Sequence, residues 1–142
     1  MEVSDISIFA ANTDGVQNLI DVARTLPALQ RVVFTSTLLV CRNGYVPRDD
    51  TDFCPPNRYG ESKARGERLV RAAANLPFGW AIVRPTAIWG PWFGAPYKLF
   101  FKMVERGLYF HPGRAPVFKA QSYVGNTCHM FDRLLAALSS DV

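Results

Sequence analysis

"RVVFTSTLLV", residues 31–40, is the stretch on which the fold turns. It is β-branched and apolar on both faces. That composition suits a strand buried between two layers of helix rather than one lying on a wet surface. Upstream, Asn12, Thr13 and Asp14 are residue types that cap helices, and Val16, Leu19, Ile20 and Ala23 follow at helical spacing before Pro27 closes the segment. Downstream, residues 42–58 read as a polar, proline-containing loop with acids at 49, 50 and 52. A helix is predicted from Tyr59 to about Asn75, with Leu69, Val70 and Ala73 on its apolar side, Gly66 permitting close packing, and Pro77 and Gly79 breaking it. "WAIVRP", residues 80–85, reads as the next buried strand. A glycine- and proline-rich loop follows, then a helix over Tyr97–Arg106 with Leu99, Phe100, Met103 and Val104 inward. An extended piece is predicted near Pro116–Lys119. The last helix is predicted over Asn126–Leu138, with Met130, Phe131, Leu134, Leu135 and Leu138 as its stripe.

Strands alternating with helices predict an α/β fold whose sheet is parallel and covered on both faces. Ligands of such folds bind beyond the carboxyl ends of the strands. The residues there are Thr35–Thr37 after one strand and Arg84–Thr86 after the next. Both groups are polar or conformationally restricted where a site is expected.

The bulk properties narrow the function. A chain of 142 residues, 49% hydrophobic and 20% charged, has the size and balance of one soluble domain. The first ten residues, MEVSDISIFA, carry two acids and no basic segment, and no apolar run approaches the ~20 residues that span a bilayer. A cytoplasmic location and no membrane partner are the expectation. Cys41, Cys54 and Cys128 are odd in number and widely spaced, and His111 and His129 complete no metal set, so no metal is expected and the thiols read as buried or idle. The net charge is +4, but Arg58, Lys63, Arg65, Arg68 and Arg71 alternate with Glu61 and Glu67. That alternation reads as a solvated helix face rather than a nucleic-acid surface, and a mildly basic pocket for a phosphate-bearing small molecule accounts for the excess equally well.

Within "RYGESKARGE", residues 58–67, Tyr59 and Lys63 are one helical turn apart and share a face. A free phenol, with a pKa of about 10, is a poor base at neutral pH. A nearby ammonium favours the phenolate, and a hydroxyl at Thr37 could hold a substrate oxygen against it. The spacing alone is also that of an ordinary amphipathic helix. Its surroundings add weight: a Thr/Ser cluster at a strand end precedes the tyrosine, and a strand ending in Arg-Pro follows it.

Taken in order, "NTDGVQNLIDVA", "RVVFTSTLLV", "YGESK", "VRPTAIWGP" and "SYVGNTCHMFDRLLAA" resemble the extended short-chain dehydrogenases/reductases, the NAD-dependent epimerase/dehydratase family acting on nucleotide-sugars. The resemblance covers nearly the whole chain. It implies an incomplete doubly wound parallel sheet: the later part of a Rossmann-type domain plus part of the substrate region, with residues 1–142 as one partial domain. It implies that Tyr59 is the catalytic acid/base, that Lys63 assists it and binds the nicotinamide ribose, and that Thr37 hydrogen-bonds the reacting sugar hydroxyl. Asn12, Thr35, Ser36, Pro85 and Thr86 would lie along the cofactor, which would be NAD, or else NADP. Trp89 would flank the sugar. Lys119 stands where the family often has a phosphate-contacting arginine, with charge kept but bidentate geometry lost. The implied reaction removes a sugar hydroxyl proton and passes hydride to NAD. The resulting keto sugar is then reduced on its other face, dehydrated or released. A homodimer through the helices at residues 13–25 and 59–75 is also implied.

Plainer readings stand beside these. Asn12 would serve as a helix cap, Thr35–Thr37 as strand hydroxyls bonded to backbone, Arg84 as the partner of Asp49 or Asp52, Trp89 and Trp92 as core packing, and Lys119 as an edge residue. Cys41-Arg42 replaces the family's usual Tyr-Gly, and Gly125-Asn126 its more frequent Asp-containing signature. The glycine-rich turn that would cradle a pyrophosphate is absent: no two glycines precede the first strand at the required spacing. The chain is therefore expected to be an N-terminally truncated member with little activity alone. A non-catalytic remnant or interaction module is the alternative.

Overall fold

The computed structural model describes residues 5–110, 113 and 120–137. The chain divides into two compact units. One comprises Met1–Pro85 with Phe131–Val142, the other Thr86–Met130.

The first unit is built around a parallel strand pair. β1 (Arg31–Thr35) and β2 (Gly79–Val83) run side by side, in register from Arg31 opposite Gly79 to Thr35 opposite Val83. Parallel neighbours need a crossover, and α2 (Arg58–Ala72) provides it. α1 (Asp14–Arg24) follows a short 3-10 helix, Ile6–Asn12. Ile20 of α1, Phe34 of β1 and Val70 of α2 form the buried core. Val16, Val32, Leu69, Ala73, Leu76, Trp80 and Ile82 pack around it. The helical spacing of residues 16, 20 and 23 and of 69, 70 and 73 therefore reports the faces these helices bury, whereas Leu19, expected in the same set, is exposed.

Several boundaries differ from expectation for local reasons. The strand predicted over 31–40 ends at Thr35. The Thr37 hydroxyl accepts a hydrogen bond from the Leu39 amide at 3.2 Å and opens a single 3-10 turn, Leu38–Val40. A threonine side chain that satisfies a nearby backbone N–H in this way competes with the sheet ladder. α2 begins one residue earlier than predicted because the Asn57 carboxamide oxygen accepts from the Gly60 amide at 2.9 Å. Asn12 does not cap α1. It ends the preceding 3-10 helix, and its side chain turns to Ser62 on α2.

Two glycines in α2 let that helix lie directly on backbone. A Cβ built at Gly60 would fall 2.1 Å from the Leu39 carbonyl oxygen, and one at Gly66 would fall 2.5 Å from the Asn12 carbonyl oxygen. Neither backbone atom has anywhere to go, so both positions require the missing side chain.

The second unit pairs β3 (Ala87–Trp89) with β4 (Gln121–Tyr123) in parallel, two short strands that the sequence pattern did not suggest. α3 spans Tyr97–Glu105, close to expectation, but its stripe is not inward: Leu99, Phe100 and Val104 are exposed, and no residue of the helix is buried. α4 starts at Val124, two residues earlier than predicted, and runs to Ala136. The piece predicted at 116–119 lies outside the described residues.

Candidate functional site

α2 is the backbone of the candidate site. Its N-terminal turn rests on the Leu38–Val40 turn through Gly60, which brings the start of the Tyr59 helix against the segment that Thr37 opens. One turn on, the Lys63 ammonium donates to the Thr35 carbonyl at 3.0 Å, directly at the carboxyl end of β1. Partial burial strips water from that ammonium and pushes its pKa below the ordinary lysine value. Tyr59 is half-buried, and its ring meets Phe9 of the first 3-10 helix at 5.8 Å between centroids.

Ser62 is fully buried, at 0% exposure. Its hydroxyl donates to the Tyr59 carbonyl at 2.7 Å and accepts from the Asn12 carboxamide at 3.0 Å. Asn12 is thereby fixed beside the turn of α2 that carries both Tyr59 and Lys63. Asn12, Thr35, Ser36 and Lys63 line one cavity of about 110 Å³ together with Gly66 and Glu67.

Below the strand ends lies an ionic cluster centred on one buried carboxylate. Glu67, only 3% exposed, accepts from the Ser36 hydroxyl at 2.5 Å and from Arg84 through Nε at 2.8 Å and a terminal nitrogen at 2.7 Å. This fork-like arginine–carboxylate contact is strong and geometrically specific. The hydrogen bonds that Arg84 donates to Glu67, offset by a smaller effect of burial, hold the Arg84 pKa above its ordinary value. Arg84 also donates to the Asp50 carbonyl at 2.5 Å, and Arg71 pairs with the Asp50 carboxylate at 2.8 Å. Phe53 lies under the guanidinium groups of Arg68 and Arg84, at 4.8 and 5.4 Å from its centroid. The loop at 49–53 is thus fastened to α2 and β2.

The sequence-based site residues divide accordingly. Asn12, Thr35, Ser36, Thr37, Tyr59, Lys63 and Pro85 all belong to the first unit. The Ser36 amide donates to the Val83 carbonyl at 2.7 Å and the Leu38 amide to the Pro85 carbonyl at 3.1 Å, so the segment around Thr37 and the Arg84-Pro85 end of β2 are neighbours. The Ser36 hydroxyl faces Glu67. Thr86 and Trp89 belong to the second unit. There the Thr86 hydroxyl donates to the Ala120 carbonyl at 2.5 Å, and Trp89 packs against Phe101 and Tyr123, each at 5.2 Å. Trp89, Trp92, Phe93, Tyr97, Lys98 and Lys102 line a hollow of about 510 Å³ in that unit. Lys119 lies outside the described residues.

Two expectations are corrected. Glu67 is not part of a solvated face, and Arg84 pairs with it rather than with Asp49 or Asp52. Glu67 continues the i, i+4 series from Tyr59 and Lys63, which puts it on their face of α2 but does not give its partner. Among the described residues no cluster of His, Cys, Asp and Glu could hold a metal, and no helix is long and apolar enough to cross a membrane.

Residues 4–111 match the profile of an NAD-binding family described as Male sterility protein. A curated relative, N-acetyl-alpha-D-glucosaminyl-diphospho-ditrans,octacis-undecaprenol 4-epimerase of Escherichia coli O157:H7, is 28% identical over 130 residues, covering 88% of this chain and 39% of that protein. Among solved structures, the UDP-glucuronic acid 4-epimerase of Bacillus cereus, in complex with UDP-glucuronic acid and NAD, superposes with a TM-score of 0.72 at 19% identity, over 95% of this chain and 45% of that one. The UDP-glucose 4-epimerase of Thermus thermophilus, in complex with NAD, gives 0.67 at 23% identity, over 92% and 47%. The architecture is therefore that of the Rossmann-type epimerase fold, and the chain spans less than half the length of these relatives.

Proposed function

Because the chain belongs to the NAD-binding family described as Male sterility protein, we propose that it carries the proton-transfer half of an NAD-dependent epimerase/dehydratase site acting on a sugar diphosphate. The observation that carries this reading is the register of α2. It sets Tyr59 on the turn packed against the Thr37 segment and Lys63 on the carbonyl that ends β1. The E. coli relative acts on a sugar joined through a diphosphate to a polyprenol, and the B. cereus structure holds a sugar joined to a nucleotide diphosphate. The sugar diphosphate is what the two have in common.

The donor set suits the cofactor. Lys63 already gives one hydrogen bond to a carbonyl, and an ammonium has two further N–H groups for ribose hydroxyls. Asn12, held by Ser62, and the Thr35 side chain at the strand end add polar groups along the same cavity. NAD, when bound, supplies the hydride acceptor. The protein's own residues do the rest. Tyr59 takes the proton of the sugar hydroxyl, Lys63 supplies the positive charge that favours its loss, and the Thr37 hydroxyl holds the sugar oxygen in line. Pro85 and Thr86 border the nicotinamide side, and Trp89 and Lys119 serve the substrate. A homodimer in the cytoplasm is part of the same proposal. The exposed apolar side chains of α1, Leu19 and Val22, provide a surface on which a second copy can pack.

Tyr59→Phe in the full polypeptide containing these residues tests the reading. With NAD and UDP-N-acetylglucosamine or UDP-glucuronic acid, turnover should fall at least about a hundredfold, as loss of a general acid/base does. NAD affinity by calorimetry should hold. Undiminished turnover would eliminate the proton-transfer role. Failure of the unsubstituted polypeptide to bind NAD would favour a non-catalytic interaction module.

A further inference from the structure

We propose that Glu67 is a positioning residue for this site, clamping the ends of both strands to α2 so that the Thr35 carbonyl and the Thr37 hydroxyl are held at fixed places relative to Lys63 and Tyr59. The inference rests on the reading of the site given above.

Tyr59, Lys63 and Glu67 follow at i, i+4 and i+8 and share one face of α2. The first two turns carry the chemistry and the third holds the anchor. Ser36 is the link. It lies between Thr35, whose carbonyl receives Lys63, and Thr37, whose side chain opens the next turn, and its own hydroxyl is bonded to Glu67 at 2.5 Å. A displacement of Ser36 moves both neighbours. Arg84 is the second link. Its bidentate contact with Glu67 fixes the residue before Pro85, whose carbonyl receives the Leu38 amide at 3.1 Å. One carboxylate therefore ties down three segments: the end of β1, the turn after it and the end of β2.

The burial points the same way. The Glu67 side chain is 2% exposed and faces two guanidinium groups, Arg84 at 2.7 Å and Arg71 at 3.8 Å, with the Asp50 carboxylate balancing the second. Buried ion pairs contribute little net stability compared with apolar packing of the same volume, whereas in some proteins they select a single geometry. Here the geometry selected is that of the strand ends.

Two substitutions separate positioning from bulk stability. Ser36→Ala leaves every charge in place and cuts only the tether to β1. Carbon-detected NMR titration of the Lys63 side chain should then show its pKa rising toward the ordinary lysine value, because a loosened strand end readmits water. Ser36→Thr, which keeps the hydroxyl, should restore the original titration. Glu67→Gln should raise hydrogen exchange at the Leu38 amide by at least about tenfold relative to the Val70 amide, a local opening rather than global unfolding. If either variant merely lowers the melting temperature, with the Lys63 titration and the Leu38-to-Val70 exchange ratio unchanged, the inference is overturned. Full turnover in Tyr59→Phe would instead remove the chemical reading of the site and leave these measurements intact, so the two failures are distinguishable.

Discussion

The two units handle their polar and aromatic residues in opposite ways. In the first, the buried hydroxyls all have partners: Ser36 on Glu67, Thr37 on a backbone amide, and Ser62 between Asn12 and a carbonyl. In the second, the large side chains are mostly aromatic and hold one another through tilted or edge contacts, as in Phe100 with Phe101 and with Tyr109 at 5.5 and 5.7 Å. Every buried apolar residue among those described belongs to the first unit, and the second contributes only Thr127 to the buried set. Chemistry that needs a fixed proton donor and acceptor gains from the first arrangement, because preorganised groups do not reorient during reaction. A surface of open aromatic faces suits ligands that vary in shape.

Substitutions can break this contrast, and the largest effect is expected in the core of the first unit. Ile20→Ala empties a fully buried site against Phe34 and Val70 and should cost about 2–5 kcal/mol in denaturant unfolding. A loss below about 1 kcal/mol would mean that the unit is not organised around that cluster. Gly60→Ala comes next. Its methyl group would meet the Leu39 carbonyl, so α2 must lift from the turn that follows Thr37 at a cost of about 1–3 kcal/mol. Turnover should fall further than stability alone explains, which an activity assay corrected for folded fraction would show.

A smaller effect is expected in acid. The Asp52 carboxyl is held below its ordinary value, chiefly by the Arg48 amide, then by the Tyr45 phenol and the Arg48 side chain. A carboxyl lowered in the folded state contributes stability that is fully present above the ordinary aspartate value of 3.8 and is lost as pH falls through the lowered one. The loop around residues 45–52 should therefore loosen only below about pH 4. Protection of the Arg48 amide, corrected for the intrinsic pH dependence of exchange, reads this directly, and Asp52→Asn should remove the share of the loosening that Asp52 causes. The smallest effect belongs to the second unit. Trp92 is fully exposed, at 101%, so Trp92→Ala should change stability by less than about 0.5 kcal/mol. A larger loss would show that the open aromatic surface is structural after all, and the contrast between the units would weaken.

Legibility in the sequence follows the same division. The strands within 31–40 and 80–85 and the helix beginning near Tyr59 were readable in kind from apolar composition and helical spacing, although the first strand stops at Thr35 and buries only Phe34. The pattern on α3 predicts an inward stripe that the structure leaves exposed: helical periodicity reports that a helix has an apolar face, not that another element covers it. Alternating signs along a helix ordinarily mean solvent, so the pattern assigns Glu67 to a surface that the fold buries. Nothing in a linear pattern says that an arginine seventeen residues on will return to meet it.

From residue order alone came the α/β alternation, the shared face of Tyr59 and Lys63, and the family resemblance, all set by local spacing and side-chain type. Long-range contact was needed for the rest. Lys63 reaches the Thr35 carbonyl across 28 residues, Ser36 reaches Glu67 across 31, and Asn12 reaches Ser62 across 50. Such bonds exist only once the β1–α2–β2 crossover has closed. The spacing of a helix settles which side chains travel together, whereas the packing of that helix on two strand ends settles what they meet.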